Sequence, residues 1–153
     1  MKIELIKEKD ITQTVEMIKD ACRNSQFALF YPEKYIEQGS NYDIIKSRAE
    51  KMHFYVIKED DKVVACGGIG PYWDSKTEAW IFTIAVASKY QGKGYGRKIM
   101  EVLESDDYAK KSKRIEIHAA ISAIPFYVKL GYSHKNGDLC YQDGHFDLEK
   151  FVN

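Results

Sequence analysis

Ala79-Trp80-Ile81-Phe82-Thr83-Ile84-Ala85-Val86 is followed, after four residues, by Gln91-Gly92-Lys93-Gly94-Tyr95-Gly96-Arg97-Lys98. These two stretches decide the architecture. The first is apolar on both alternating faces, as expected of a strand at the centre of a sheet that is covered on both sides. The second is a glycine-rich loop that opens a helix running to about Tyr108, with Ile99, Val102 and Leu103 on its inner face. Strand, glycine loop and helix in that order make one unit of an α/β layer structure.

Working outward toward the N-terminus, Phe54–Ile57 and Val63–Cys66 read as two strands joined by the polar turn Glu59–Lys62. Gly67, Gly68 and Gly70 should loosen the end of the second strand, and a bulge is expected there. Before them lie a first strand around Ile3–Ile6 and a helix from Ile11 with Val15, Ile18 and Cys22 at helical spacing, capped by Asp10 or Thr12. An aromatic segment follows at residues 27–38, where Pro32 could open a helical turn, and then a helix over Tyr42–Lys51. Toward the C-terminus come a strand at Arg114–His118, a short helix at Ile124–Leu130 stopped by Gly131, and two strands around Leu139–Tyr141 and Phe146–Phe151. The fold class is therefore α/β with a mixed sheet, in a single domain over residues 1–153.

Composition narrows the function classes. Of 153 residues, 44% are hydrophobic and 30% charged, with 23 Lys+Arg balancing 23 Asp+Glu. A nucleic-acid binder would carry a basic excess, so no nucleic-acid partner is expected. The apolar stretch Ala79–Ala87 is far short of the ~20 residues that span a bilayer, and Met1–Glu4 lacks the apolar segment of a signal peptide; a cytoplasmic protein away from the membrane is expected. Cys22, Cys66 and Cys140 are scattered, and His53, His118, His134 and His145 show no H-x-x-x-H spacing, so neither a disulfide framework nor a metal site is expected.

The loop from Gln91 to Arg97 carries the first chemical signal. Backbone without Cβ atoms can approach a ligand closely, and the first amides of the helix behind it have no intrahelical acceptor. Arg97 and Lys98 stand in that helix's first turn, where a cation is disfavoured unless an anion is bound. A phosphate group would meet these demands; a glycine-rich turn with solvated basic residues is the alternative. G-x-x-x-x-G-K-[ST] does not occur, and G-x-G-x-x-G fails because Arg97 occupies the sixth position counted from Gly92.

What does stand here, Gln-x-x-Gly-x-Gly over Gln91–Gly96, resembles the pyrophosphate loop of the GNAT superfamily of acetyl-CoA-dependent N-acetyltransferases. A second segment, Ala123-Ile124-Pro125-Phe126-Tyr127-Val128-Lys129-Leu130-Gly131-Tyr132, is similar to that family's A-x-x-F-Y-x-x-L-G-[FY] motif, and Glu78–Val86 is similar to its fourth strand. The resemblance implies a sheet of six to seven strands flanked by about four helices, with the fourth and fifth strands splayed around the pantetheine arm. It places backbone groups of Ile84, Ala85 and Val86 on the pantetheine amides. Gln91, Gly92, Lys93, Gly94, Tyr95, Gly96 and Arg97 fall on the pyrophosphate, and Ser122 near the cofactor in place of an Asn that this chain replaces with Ala120.

The same resemblance puts Tyr127 beside the thioester sulfur as general acid; a tyrosine that only packs against Phe126 and Leu130 is the other reading. For the base that takes the amine's proton, Glu78 is the first candidate, sharing an alternation face with Trp80, Phe82, Ile84 and Val86. Glu116 and His118 on the next strand are its rivals. Phe27, Phe30, Tyr31, Tyr35 and Tyr42, with Tyr72 and Trp73, could wall the acceptor pocket and seat a cationic or apolar amine, or could simply pack helices onto the sheet. The expected reaction is acetyl transfer from acetyl-CoA to a primary amine by direct attack, with no metal and no cysteine acyl-enzyme. A small-molecule acceptor is favoured over a protein, and a homodimer is compatible with the family. A CoA-binding module that has lost catalysis is the alternative.

Overall fold

The computed structural model describes residues 1–24, 31 and 33–153. In chain order these form β1 (Lys2–Leu5), α1 (Ile11–Arg23), α2 (Glu33–Gly39), α3 (Tyr42–Lys51), β2 (His53–Glu59), β3 (Lys62–Pro71), β4 (Glu78–Val86), α4 (Tyr95–Glu104), α5 (Asp107–Lys110), β5 (Arg114–Ala119), α6 (Ile124–Lys129), β6 (Ser133–His134), β7 (Tyr141–Gln142) and β8 (His145–Phe151). The eight strands make one sheet in the order β1-β2-β3-β4-β5-β8-β6, with β7 also on β8. Every pairing is antiparallel except β4 with β5.

Helices cover both faces. On one, Ile99, Met100 and Leu103 of α4 pack with Ile57, Ala65, Ile69, Ile81, Ile115 and Leu148. On the other, Ile11, Val15 and Ile18 of α1 and Ile45 of α3 pack with Phe54, Val56, Cys66 and Phe82. Consecutive β4 residues Ile81 and Phe82 thus serve opposite cores, which is why that strand reads as apolar throughout. The boundaries of α3 follow from Asn41, whose side chain accepts from the Ile44 amide at 3.0 Å. Asp10 occupies the cap position of α1, but its carboxylate instead accepts from the Lys7 amide at 3.2 Å and pairs with Lys58 at 3.0 Å.

Among the described residues the structure has more elements than the six to seven strands and about four helices expected. The extra strand, Ser133–His134, is two residues long, too short for any alternation to show in the sequence. The helix expected to reach Tyr108 ends at Glu104, because the chain becomes extended at the buried Asp106, whose side chain caps α5 by accepting from the Tyr108 amide at 2.8 Å. Phe27, Phe30 and Pro32 lie outside the described residues.

The site is created by two irregularities in β4. First, β3 does not end at its glycines but runs through to Pro71, and the ladder slips between Cys66↔Ala85 and Gly68↔Phe82. Thr83 and Ile84 together oppose Gly67, so the bulge falls on β4, with Thr83 at φ +54°. This extra residue flips the strand's faces. Trp80 and Phe82 look toward α1 and α3, whereas Ile84 and Val86 pack on the α4 side, so the shared face expected for Glu78, Trp80, Phe82, Ile84 and Val86 breaks at Thr83. Second, β4 pairs with β5 only over Glu78–Ile81; beyond Ile81 and Ile117 the ladder ends and the strands part.

The glycines opposite the bulge are there for space. A Cβ on Gly68 would stand 2.3 Å from the Phe82 ring. Gly68→Ala should therefore destabilise the protein by about 1–3 kcal/mol, the usual range for overpacking a filled core. A denaturant midpoint equal to the wild type's would show that Phe82 yields freely.

Candidate active site

The parting of β4 and β5 opens a cleft of about 340 Å³. Ile84, Ala85 and Val86 form one wall, Ala120, Ser122 and Ala123 after β5 the other, and Phe126 and Tyr127 of α6 the floor. On the side facing β5, the main chain of Phe82–Val86 has no ladder partner among the described strands, so polar groups of this edge other than the Val86 carbonyl, which Gln91 takes, can meet a ligand. Tyr127 is buried, and its ring meets those of Phe126 and Tyr132 edge-on at 5.2 and 6.1 Å. Burial alone pushes its phenol well above the ordinary tyrosine range, so the hydroxyl stays protonated through neutral pH.

At the mouth of the cleft, Gln91 donates from Nε2 to the Val86 carbonyl at 3.0 Å and ties the loop to the end of β4. Gly94 is the cap of α4 with φ +90°, a conformation that disfavours any residue with a Cβ. The first intrahelical bond runs from the Lys98 amide to the Gly94 carbonyl at 3.1 Å, which leaves the amides before it without helical acceptors. No acid stands in the first turn of α4. Among the described residues Lys93, Arg97 and Lys98 make no ion pair, so positive charge collects at this end of the helix.

The three base candidates are drawn into one network on β4, β5 and β8. Glu78 begins β4, six residues before Ile84, and its carboxylate receives Arg114 Nε at 2.5 Å. Arg114 also reaches Glu116 at 2.9 Å and Glu149 at 3.1 Å. Glu116 is fully buried, with Lys135 Nζ at 2.8 Å and His118 Nε2 at 2.6 Å. Burial pushes its carboxyl up, but His118, Lys135 and Arg114 outweigh that and hold it at about 2. Glu116 is a fixed anion, and Glu78 is committed to Arg114 away from the cleft. His118, near the end of β5, remains partly open; with Nε2 directed at Glu116, Nδ1 is the nitrogen left to accept a proton.

The fold also stacks His118 on His145 of β8, with ring centroids 4.3 Å apart and planes within 9°. Asp147 Oδ1 lies 3.7 Å from His118 Nε2 and 3.3 Å from His145 Nε2, so three groups able to ligate a metal gather within 4.8 Å. His118 Nε2 already faces Glu116. Burial and the neighbouring His118 push His145 down from the ordinary histidine range.

A second cavity of about 390 Å³ adjoins the cleft, sharing Cys22, Ile84 and Ala85 with it. Tyr35, Ser40, Arg48, Trp80, His118 and His145 are among the residues that line it. Of the aromatic residues expected to form an acceptor wall, Tyr35 does line this cavity. Tyr72 and Trp73 line another, of about 360 Å³, on the far side of Trp80 and His118, and Tyr42 is exposed. Tyr31 is buried and its hydroxyl accepts from the Ile121 amide at 3.2 Å. The Trp80 and Phe82 rings already seat a cation, the guanidinium of Arg48.

Residues 15–132 match the family model described as the acetyltransferase (GNAT) family. The chain belongs to the GNAT acetyltransferase family. Enzymes of this family carry out acyl transfer. Among curated proteins, the GNAT chain is 31% identical over 93 residues to an uncharacterized acetyltransferase of Streptococcus pyogenes serotype M1; the match covers 61% of this chain and 63% of that protein. Among solved structures it superposes on the PaiA N-acetyltransferase of Thermoplasma acidophilum in complex with coenzyme A, with a TM-score of 0.82, 16% identity, and coverage of 99% and 100% of the two chains. A GNAT-family acetyltransferase of Staphylococcus aureus gives a TM-score of 0.77 at 16% identity, over 99% of each chain. These solved structures are alike in fold. No helix among the described residues is long and apolar enough to cross a membrane.

In this GNAT chain, Ile84, Ala85, Val86, Gln91, Ser122 and Tyr127 all line the one cleft, and the segment from Gly92 to Arg97 continues from Gln91 into the start of α4. Arg48 and His145 escaped the sequence reading. His145 becomes a neighbour of His118 only through the β5–β8 register, which no local pattern reveals. Arg48 did leave a signal, since it falls on the inward arc of α3 with Ile45, Ala49 and Met52. Cys22 touches both cavities, but burial pushes its thiol up to about 11, so it is not a poised nucleophile.

Proposed function

We propose that this chain transfers the acetyl group of acetyl-CoA to a primary amine of a small acceptor by direct attack. Tyr127 is the general acid and His118 the general base. One observation carries the proposal: an unpartnered strand edge and a protonated, buried phenol share a cleft whose mouth is a helix N-terminus with unpaired cations. The strand edge suits the amides of the pantetheine arm, and the N-terminus of α4 suits the diphosphate. The adjoining cavity brings the amine to Ile84 and Ala85, next to the thioester.

In the reaction the amine nitrogen forms a bond to the thioester carbonyl carbon and gives its proton to Nδ1 of His118. The tetrahedral intermediate then collapses, the carbon–sulfur bond breaks, and the departing sulfur takes the Tyr127 hydroxyl proton. Glu116 opposite Nε2 holds the imidazole in position and balances the charge it gains. The network around Arg114 keeps Glu116 ionised.

Acetyl-CoA titrated into the protein in a calorimeter, followed by thiol release with a panel of primary amines, tests the proposal. Saturable binding and amine-dependent release are expected. Binding with no release from any amine would leave a CoA-binding module, and absence of binding would remove the proposal altogether.

A further inference from the structure

We propose that Arg48 binds a carboxylate on the acceptor, so that the substrate class is amino acids or short amino carboxylates rather than polyamines or simple alkylamines. The inference rests on the acetyl-transfer proposal and adds to it the identity of the acceptor's second group.

The chain has four arginines, and their partners differ. Arg23 pairs with Glu33 and Glu37, Arg114 with Glu78, Glu116 and Glu149, and Arg97 is exposed beside the glycine loop. Arg48 is drawn inward on α3, with its guanidinium carbon 5.5 Å from the Trp80 ring centroid and 5.1 Å from that of Phe82. Its Nη1 donates to Thr83 Oγ1, on the bulge, at 2.5 Å. No described carboxylate lies within ion-pair distance of it, and residues 25–30 and 32 contain no Asp or Glu. A guanidinium has five N–H donors, cannot shed its proton, and loses hydration on burial. Burial accordingly pushes Arg48 down, with no acid acting to raise it. The charge has been desolvated with a hydroxyl and two aromatic rings but no carboxylate among the described residues, and it faces a cavity.

His118 and His145 line the same cavity and give that part of it the complementary sign. His118 sits 5.9 Å from the same Trp80 ring and is backed by the buried anions Glu116 and Asp147. Asp147 Oδ1 is buried without a hydrogen-bond partner, although Oδ2 accepts from Gln142 at 2.6 Å. An ammonium group arriving near His118 is therefore attracted, and the same group near Arg48 is repelled. A molecule with an anion at one end and an amine a few bonds away satisfies both groups at once. The planar fork of a guanidinium fits a carboxylate through two parallel hydrogen bonds, and its single charge balances one carboxylate.

Matched pairs that differ only in the carboxylate decide the matter: L-methionine against 3-methylthiopropylamine, L-phenylalanine against phenethylamine, and β-alanine against ethylamine, with O-phosphoethanolamine as the phosphate arm. Thiol release is measured on the wild type, Arg48→Gln and Arg48→Lys. Calorimetry measures each amino acid's binding to the CoA-loaded proteins, and a separate titration measures acetyl-CoA. At least one pair should favour the acid about 100-fold in kcat/KM, the scale of a charge-assisted bidentate contact. Arg48→Gln should erase that preference by raising KM for the acid alone, with Arg48→Lys in between and acetyl-CoA binding unchanged. Simple amines equal to or better than their acids in the wild type would overturn the proposal even if the variants fail to fold. So would O-phosphoethanolamine outperforming every carboxylate, or amino acids that fail to bind the CoA-loaded protein. Failure of acetyl-CoA itself to bind would instead overturn the acetyl-transfer proposal, through its own titration.

Discussion

Tyr127→Phe is expected to lower kcat by about 10²- to 10³-fold while leaving acetyl-CoA binding essentially unchanged, because a positioned proton donor contributes on that scale. The substitution is unusually clean. The ring stays against Phe126 and Tyr132, so packing under the cleft is kept. The hydroxyl takes no hydrogen bond from a described residue, so its loss leaves no buried partner unsatisfied. What disappears is a proton available to the departing sulfur. On the proposed mechanism, without that proton the carbon–sulfur bond must break to a bare thiolate, and expulsion of the amine from the intermediate, back toward reactants, competes with product formation. Because burial raises the phenol above the ordinary tyrosine range, the wild type should keep its acid form well into alkaline conditions. Single-turnover acetyl transfer, which isolates chemistry from product release, is the measurement that matters. A single-turnover rate equal to the wild type's would reduce Tyr127 to a packing residue.

The parts of the molecule that sequence made legible are those whose physics is local. The helix Tyr42–Lys51 is found at the limits expected for it, since a capping Asn41 and an apolar arc lie within a few residues of each other. The central strand was equally plain, because burial on both faces leaves Thr83 as the one hydroxyl or charged side chain between Ala79 and Val86. The glycine loop announced itself through its cations as much as its glycines. The bulge at Thr83–Ile84 was hidden: alternation tells which residues are apolar but not where one residue is inserted, and both Phe82 and Ile84 are apolar. That single insertion breaks the face Glu78 would have shared with Ile84. Non-local electrostatics were hidden for a different reason. Glu78, Arg114, Glu116 and Glu149 are dispersed along the chain and meet only because β4, β5 and β8 pair in a particular register. Arg48 was passed over because a charged residue on a helix is ordinarily solvated, and only the cavity in front of it makes it unusual.

Glu116→Gln should cost about 3 kcal/mol or more of stability, the range seen when one member of a buried ion network is removed. Glu116 has no exposed surface, and the substitution preserves its shape while deleting the charge that Lys135, His118 and Arg114 surround. Arg114 would keep Glu78 and Glu149, but Lys135 would keep only the Tyr72 hydroxyl at 3.2 Å, so an uncompensated ammonium is left half-buried. The same contacts fix the sign of the pH dependence. The folded-state value of Glu116, about 2, lies below the ordinary value of 4.5, so its contribution is present in full above about pH 4.5 and is lost as pH falls toward 2. The wild type should therefore lose stability on that acid limb faster than Glu116→Gln, and the gap between the two proteins should narrow as pH falls. Denaturant midpoints taken between pH 7 and pH 3 would show this convergence directly. Parallel curves across that range would mean that Glu116 contributes by shape rather than by charge, and the network behind His118 would then hold the imidazole in place without supplying the anion that the proposed proton transfer requires.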